Sequence, residues 1–291
     1  MVMLYRTNFD PGVHSAAAWT LRQWQQKETS KGVDAELSGA SSPDQQNWFI
    51  NSQGLTFAVV NGPVEFQMGD TAKEKVTLTH RFAIATYEVT LEQFLQFRKN
   101  HRHNMKPPLP DCPVGLVSWY DAVAYCNWLS EQEKMPKDQW CYEPNDKGQY
   151  AEGMTVPAYF LHLSGYRLPT EVEWEYACRA GTTTDYSFGE SIELLGRYAW
   201  GVNKLQSRME PVGSLKPNEL GLFDMHGNAW EWCHDLWEPK LNPFVRTEKR
   251  RVLRGGAFFD QPEKIRSASR YLTQPQPYHE SIGFRPARTL P

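Results

Sequence analysis

Gly165-Tyr-Arg-Leu-Pro-Thr-Glu-Val-Glu-Trp-Glu-Tyr-Ala177 is the stretch of this sequence that says most about its fold. Pro169 is followed by Thr170-Glu-Val-Glu173, which has the spacing of a capping box. In that motif a threonine hydroxyl and a glutamate three residues later satisfy backbone N–H groups at a helix start. We therefore predict a helix that begins at Thr170 and ends near Gly181, since glycine is common just after a helix.

Upstream of this stretch the sequence predicts two more helices. Thr90-Leu-Glu-Gln93 fits a second capping box. Ser118 precedes a run in which three apolar residues fall on one helical face. Those residues are Ala122, Cys126 and Leu129.

Short strands are expected before these helices. Val64, Phe66 and Met68 alternate with polar residues, which is the period of a half-buried strand. The turn at 61–63 separates this run from 56–60, so we predict that the two form a hairpin. Residues 76–78 and 81–85 are further strand candidates. From Thr182 onward the sequence shows almost no periodicity.

The first 45 residues differ from the rest. Ser15 is the expected N-cap of a helix whose apolar stripe is Ala17, Leu21 and Trp24. Residues 28–46 are polar and contain glycine and proline, which predicts a linker. The expected domains are therefore 1–45, a helix with a polar linker, and 46–291, the main domain.

Composition excludes several classes of protein. The 291 residues are 40% hydrophobic and 13% aromatic, which predicts a folded core rather than a disordered chain. A net charge of −3 gives no general attraction to nucleic acid. No apolar run is long enough for a membrane span, and no membrane association is expected. The five cysteines contain no CxxC pair, and a reducing cytoplasm is the expected location.

Eight motifs in order resemble the formylglycine-generating enzyme, or sulfatase-modifying factor, family over about 240 residues. The N-terminal ~45 residues fall outside this resemblance. The motifs are Met68-Gly69, Tyr87–Thr90, Val117–Leu129, Gly165–Ala177, Pro217–Trp232, Arg251–Gly256, Arg266–Arg270 and Gly283–Arg285. The resemblance implies an α+β fold, a loop-rich variant of the C-type lectin fold. The family includes copper-dependent cysteine oxidases, domains of iron-dependent oxygenases and non-catalytic ligand binders.

The copper site of the oxidases does not carry over to this sequence. The family's two cysteines lie between the Arg-Gly-Gly turn and the Arg266–Arg270 motif, and here 257–266 contains no sulfur. Cu(I) prefers thiolate ligands, so Asp260 and Glu263 are not substitutes, and copper is not expected. No His-x3-His-x-Glu pattern is present, so iron is not expected either. Cys126, Cys178 and Cys233 are expected to be packed, whereas Cys112 and Cys141 could be exposed.

A structural calcium ion is the metal that the resemblance does imply. It would be held by the side chains of Asp224 and Glu231 and the carbonyl oxygens of Gly227 and Ala229. Calcium favours several hard oxygen ligands. The alternative is a loop held by Trp230 and Trp232 in the core, with Glu231 in a salt bridge or hydrogen bond.

The segment 258–281 is expected to line the exposed surface that the family's enzymes and binders use. Aromatic residues interleaved with polar ones suit recognition, because Tyr and Phe anchor a partner at low entropic cost. Phe258 and Tyr271 are the aromatic residues most expected to pack inward. The predicted ligand-binding residues are Phe259, Asp260, Gln261, Glu263, Tyr271, Gln274, Tyr278 and His279.

The sequence therefore predicts a non-oxidase recognition domain that binds a protein or small ligand through its C-terminal segment. It could be one domain of a larger signalling protein. One alternative is a non-heme metal-dependent oxygenase of the same superfamily with a non-standard site. Another is a cysteine oxidase using a different thiol pair, which requires Cys112 and Cys141 to lie together.

Overall fold

A computed structural model describes residues 1–39, 46–71, 73–103, 109–201, 208–237, 249–276 and 279–291. The α-helices are α1 (Val2–Thr7), α2 (Pro11–Gln23), α3 (Lys27–Leu37), α4 (Leu91–Phe97), α5 (Trp119–Gln132), α6 (Glu171–Arg179) and α7 (Ile192–Tyr198). The strands are β1 (Trp48–Ile50), β2 (Thr56–Val60), β3 (Val64–Met68), β4 (Glu74–Leu78), β5 (Phe82–Ala85), β6 (Tyr166–Arg167), β7 (Trp230–Trp237), β8 (Arg250–Arg254), β9 (Arg270–Thr273), β10 (Ile282–Gly283) and β11 (Ala287–Thr289). No described helix has the length and hydrophobicity needed to cross a bilayer.

Two sheets organise the described residues. The first has the order β1-β2-β5-β11-β6, so strands from both ends of the chain pair with each other. The second has the order β10-β7-β8-β9, and β3 and β4 form a separate antiparallel pair. The largest hydrophobic cluster joins the two sheets and includes Trp119, Tyr125, Trp232 and Phe284, all fully buried. Each such aromatic side chain removes roughly 150–250 Å² from water, so this cluster is a main source of stability.

The three predicted helix starts are confirmed. Thr90, Ser118 and Thr170 are the N-caps of α4, α5 and α6, and each forms a complete capping box. Helix α6 ends at Arg179 and is followed by Ala180, which has a left-handed backbone with φ 47° and lies immediately before Gly181. A capping box involves only four consecutive residues, so these helix starts can be predicted from the sequence alone.

The predicted hairpin is wrong. Strand β2 pairs with β1 and β5, whereas β3 pairs with β4, so the turn at 61–63 carries the chain from one sheet into another. Residues 57–60 are buried, as expected of a strand between two neighbours in a covered sheet. Turn residues mark where a strand ends, but they do not specify its partner.

The N-terminal region also differs from its prediction. Asp10, not Ser15, caps α2, with Pro11 at the first helical position. Trp24 is 58% exposed, although Ala17 and Leu21 are buried as predicted. Most of the predicted linker forms α3, in which only Val33 is buried, so the sequence shows no apolar stripe.

The N-terminal helices lie against the main domain. The Trp19 indole donates to the Ser214 carbonyl oxygen at 3.2 Å, and Lys27 pairs with Asp111 at 2.9 Å. The Trp48 indole of β1 donates to the Asn8 carbonyl oxygen at 2.7 Å. The predicted amphipathic helix therefore packs against the main domain of its own chain.

The part of the chain after Thr182 contains regular helices and strands, although its sequence shows little periodicity. Helix α7 and the strands β7 to β11 all lie in that part of the chain. Most residues of β7 are buried, so its sequence lacks the alternation that identifies a half-exposed strand. The second sheet was therefore not predictable from pattern.

Candidate ligand-binding cleft

A cleft of about 440 Å³ opens at the edge of the second sheet. Its volume is within the range of small-molecule binding pockets, roughly 300–1,000 Å³. Strands β7 to β10 and the loop after Gly256 form its walls. The lining residues are Trp230, Leu253, Phe259, Asp260, Lys264, Arg270, Tyr271, Thr273, His279, Ser281 and Ile282.

The Arg-Gly-Gly turn positions the loop that carries Phe259 and Asp260. Gly255 and Gly256 have φ values of 94° and 82°, which side-chain-bearing residues rarely adopt. A Cβ atom on Gly256 would also lie 2.4 Å from Cγ2 of Ile265. Glycine is therefore required for this loop to fold back across the end of β8.

Aromatic side chains provide most of the apolar surface of the cleft. The rings of Trp230 and Tyr271 lie 5.8 Å apart, and those of Phe259 and His279 lie 6.3 Å apart. Phe259 is 45% exposed and Tyr271 is 55% exposed. The prediction that Phe258 packs inward is confirmed, but the same prediction for Tyr271 is wrong, because β9 is an edge strand and this side chain faces solvent.

Polar groups in the cleft are held by local hydrogen bonds. Oδ2 of Asp260 accepts from the Ala257 backbone N–H at 2.9 Å, which fixes the start of the loop. Nδ1 of His279 lies 2.7 Å from the Ser281 hydroxyl. Arg270 pairs with Glu171 at 2.7 Å, whereas Lys264 makes no ion pair with any residue that the structure describes.

The structure brings together half of the predicted ligand-binding residues. Phe259, Asp260, Tyr271 and His279 line the cleft. Gln261 and Glu263 are exposed around the short 3₁₀ turn at 262–264 and do not line it, and Gln274 lines a neighbouring cleft. Tyr278 lies outside the described residues.

Sequence reasoning missed the floor of the cleft. Trp230, Leu253 and Ile282 come from three strands, and β10 pairs with β7 in parallel across about 50 residues of chain. Lys264 and Arg270 were also missed. These residues are spread between positions 230 and 282, and no local pattern indicates that their side chains share one surface.

The predicted calcium loop lies on a buried charge network. Glu231 is fully buried and accepts two hydrogen bonds from Arg285, each at 2.7 Å, and one from the Trp174 indole at 2.8 Å. Oδ2 of Asp224 accepts from the Gly213 N–H at 2.6 Å; its Oδ1 has no close hydrogen-bond partner among the described residues, although the Trp200 side chain interacts with this carboxylate. Both carboxylate oxygens of buried Glu88 also lack one, although Arg285 lies 3.7 Å away.

This network contains more carboxyl groups than cations: Glu88, Asp224 and Glu231 lie around Arg285. Burial, and then the neighbouring Asp224 carboxylate, raise the pKa of Glu88 well above its usual range. Burial likewise raises the pKa of Asp224 to about 6. Asp224 and Glu231 both keep lone pairs beside their hydrogen bonds, and carboxylate oxygens are the hard ligands that calcium prefers. Calcium at Asp224, Gly227, Ala229 and Glu231 stays a prediction.

The cysteines are free and buried. This confirms the prediction for Cys126, Cys178 and Cys233, but the exposure considered for Cys112 and Cys141 is wrong. Cys112 donates to the Met209 carbonyl oxygen and Cys141 to that of Gly165, so the two thiols have separate surroundings. Burial raises the pKa of Cys112 to about 12 and that of Cys141 to about 11, which disfavours the thiolate form.

His226 and His234 both have structural partners. Nδ1 of His226 lies 2.8 Å from the Ile265 carbonyl oxygen, and Nδ1 of His234 lies 3.1 Å from the Tyr142 hydroxyl. Within the described ranges, no three or more His, Cys, Asp or Glu side chains are grouped so as to hold a metal ion.

Comparison with known proteins identifies the family. Residues 50–290 match the Sulfatase-modifying factor enzyme 1-like domain. The chain belongs to this family. The resemblance inferred from the eight motifs is therefore confirmed, as is the mixed, loop-rich variant of the C-type lectin fold.

Similar proteins carry varied names. "Chaperone protein LppX" of Paenibacillus barcinonensis is 30% identical over 221 residues, covering 69% of this chain and 77% of its own length. "Serine/threonine-protein kinase pkn1" of Chlamydia pneumoniae is 27% identical over 90% of this chain, which spans only 41% of that kinase. The solved structure of Treponema denticola variable protein 1 is 26% identical, with a TM-score of 0.71, over 81% of this chain and 95% of that protein.

Proposed function

We propose that this protein is a recognition domain that binds a peptide or small ligand in the cleft of the second sheet, and that it is not a cysteine oxidase. The observation that carries the proposal is the convergence of Phe259, Asp260, Tyr271 and His279 on one cleft. These residues combine exposed aromatic surface with polar groups, which is the composition of many binding sites.

The distribution of sulfur supports the non-oxidase part of the proposal. No cysteine follows Cys233 in the sequence, so the loop 257–266 brings aromatic and carboxylate groups to the cleft, but no thiol. Cys233 itself is fully buried. A Cu(I) centre requires thiolate ligands, and the cleft lining contains none.

We also propose that the domain serves within a larger signalling protein. The similarity to a protein kinase that is more than twice as long supports this arrangement. A cytoplasmic location stays a prediction. The alternative of a metal-dependent oxygenase gains no specific support, because the described His, Cys, Asp and Glu side chains form no cluster of metal ligands.

Selection from a peptide library tests the recognition site directly. A random peptide library displayed on phage is selected against the wild-type protein, and the affinities of enriched peptides are measured against Tyr271→Ala. We expect at least a tenfold loss of affinity, because truncating an aromatic anchor at the centre of an interface typically costs more than about 1.4 kcal/mol.

Tyr159→Ala is the matched control for this selection. Tyr159 is 58% exposed, close to the 55% of Tyr271, but does not line the cleft. Its substitution should leave peptide affinity unchanged. Peptides that bind Tyr271→Ala as tightly as wild type, and lose affinity on Tyr159→Ala, would place recognition on another face.

A further inference from the structure

A second cleft lies beside the first, across the chain segment that follows β9. Its volume is about 450 Å³. Thr273 lines the first cleft, whereas the next three residues, Gln274 to Gln276, line the second. The Pro275 carbonyl oxygen accepts from the Trp119 N–H at 2.9 Å, which anchors this dividing segment to the start of α5.

Arg251 is the central group of the second cleft. Its guanidinium carbon lies 3.7 Å from the centre of the Trp119 ring, so the two planar groups are in close contact. One guanidinium N–H donates to the His234 carbonyl oxygen at 2.6 Å. Arg251 lines the cleft, and an arginine side chain has five N–H donors, of which the described residues accept from one.

Arg251 lacks the counterion that the buried arginines of this protein have. Arg167 pairs with Glu173, Arg254 with Glu175 and Arg285 with Glu231. Arg251 makes no ion pair with any carboxylate in the described part of the chain. Asp235 influences it electrostatically, but the Asp235 carboxylate accepts a hydrogen bond from the Glu171 N–H.

An incompletely compensated, half-buried guanidinium is costly unless something binds it. Burial lowers the pKa of Arg251, which is the sign of a cation removed from water without full compensation. Lys249 lines the same cleft as a second cation, against one acidic residue, Glu152. The amide side chains of Gln274 and Gln276 add hydrogen-bond donors beside these charges.

We propose that this second cleft binds the oxyanion group, carboxylate or phosphate, of a ligand distinct from the one in the first cleft. Arg251 donates to the oxyanion through its planar fork, held in place by Trp119 and His234. Lys249 contributes charge from the rim. Tyr120 and Met154 provide apolar contacts for the rest of the ligand.

Titration with simple anions tests the site. The probes are inorganic phosphate and propionate, added separately at constant ionic strength with chloride as the reference. Binding is followed by two-dimensional NMR through the indole N–H of Trp119, which donates to the Cys233 carbonyl oxygen beneath the Arg251 guanidinium. We expect a saturable shift with phosphate, propionate or both, and none with chloride; the stronger probe identifies the oxyanion.

Three variants make the test specific. Arg251→Gln and Lys249→Gln should each weaken binding of the active probe, by at least tenfold for Arg251→Gln. Lys264→Gln, which removes a cation from the first cleft, should have no effect. Lys249 is exposed, so its variant remains informative even where loss of Arg251 impairs folding.

The proposal is overturned by equal shifts in chloride, by no saturable shift with either anion, or by binding that both Arg251→Gln and Lys249→Gln retain. A loss of binding in Lys264→Gln alone would assign the anion to the first cleft instead. None of these outcomes bears on peptide binding through Tyr271, so the two proposals fail separately.

Discussion

Glu231 shows how single residues determine what this fold can do. Strand side chains alternate between faces, so Trp230 contributes to the cleft while Glu231 lies in the buried network with Arg285. Arg285 also donates to the carbonyl oxygens of Ala85 and Phe223, which joins the two sheets. Glu231, which stabilises the strand beneath the cleft, is thus adjacent in sequence to Trp230, which lines the cleft.

Replacing Arg285 with methionine should destabilise the protein strongly. The substitution leaves the Glu231 carboxylate buried without its cation, and breaking a buried pair in this way costs about 3–5 kcal/mol. Urea unfolding measures the change. The control is Arg270→Met, because the Arg270–Glu171 pair is 46% exposed on the arginine side and should contribute less than about 1 kcal/mol. Equal losses for the two variants would contradict the assigned role of Arg285.

Among the structural elements, the N-terminal helices contact the first sheet through a buried histidine. His14 of α2 lies between the rings of Tyr5 and Trp48, with centroid distances of 4.4 and 3.6 Å. Its Nδ1 lies 2.7 Å from the Tyr5 carbonyl oxygen. Burial lowers the pKa of His14 from 6.5 to about 4.

This shift predicts a pH-dependent stability of the helical region. The folded state keeps His14 neutral, so its contribution is fully present above pH 6.5 and is lost as the pH falls from 6.5 toward 4. The difference in unfolding free energy between wild type and His14→Gln should therefore shrink over that window, by at most about 1.4 kcal/mol per pH unit. The exposed His162→Gln serves as control. A difference that is constant between pH 4 and 7 would show that His14 is not held neutral.

The loop from Asp224 to Glu231 is the element for which we propose a calcium ion. The carboxylate oxygens of Asp224 and Glu231, and the excess of carboxyl groups over cations in the network, support the proposal. Calcium at a hundred times its Kd should stabilise the fold by about 2.7 kcal/mol, which corresponds to a rise of roughly 5 °C in Tm. Asp224→Asn should abolish the rise. A Tm that is the same in calcium and in chelator would mean that Arg285 and Trp174 hold the loop alone.

On the scale of the whole molecule, the fold was predictable where its signals are local. The capping boxes at Thr90 and Thr170 and the ordered motifs led to the correct helices and family. Pairings between distant strands carry no local signal, so the β2–β3 hairpin was wrong and the parallel β7–β10 pairing was missed. Four of the predicted ligand-binding residues accordingly line the first cleft and Gln274 lines the second, whereas Gln261 and Glu263 line neither.

The metal content of the protein after loading tests the central claim most directly. Purified protein is incubated anaerobically with Cu(I) and, separately, with Fe(II), then desalted and analysed for both elements. Because the thiols are buried and the cleft lining contains no cysteine, we predict copper and iron well below one ion per chain. One tightly held copper or iron ion per chain would contradict the account.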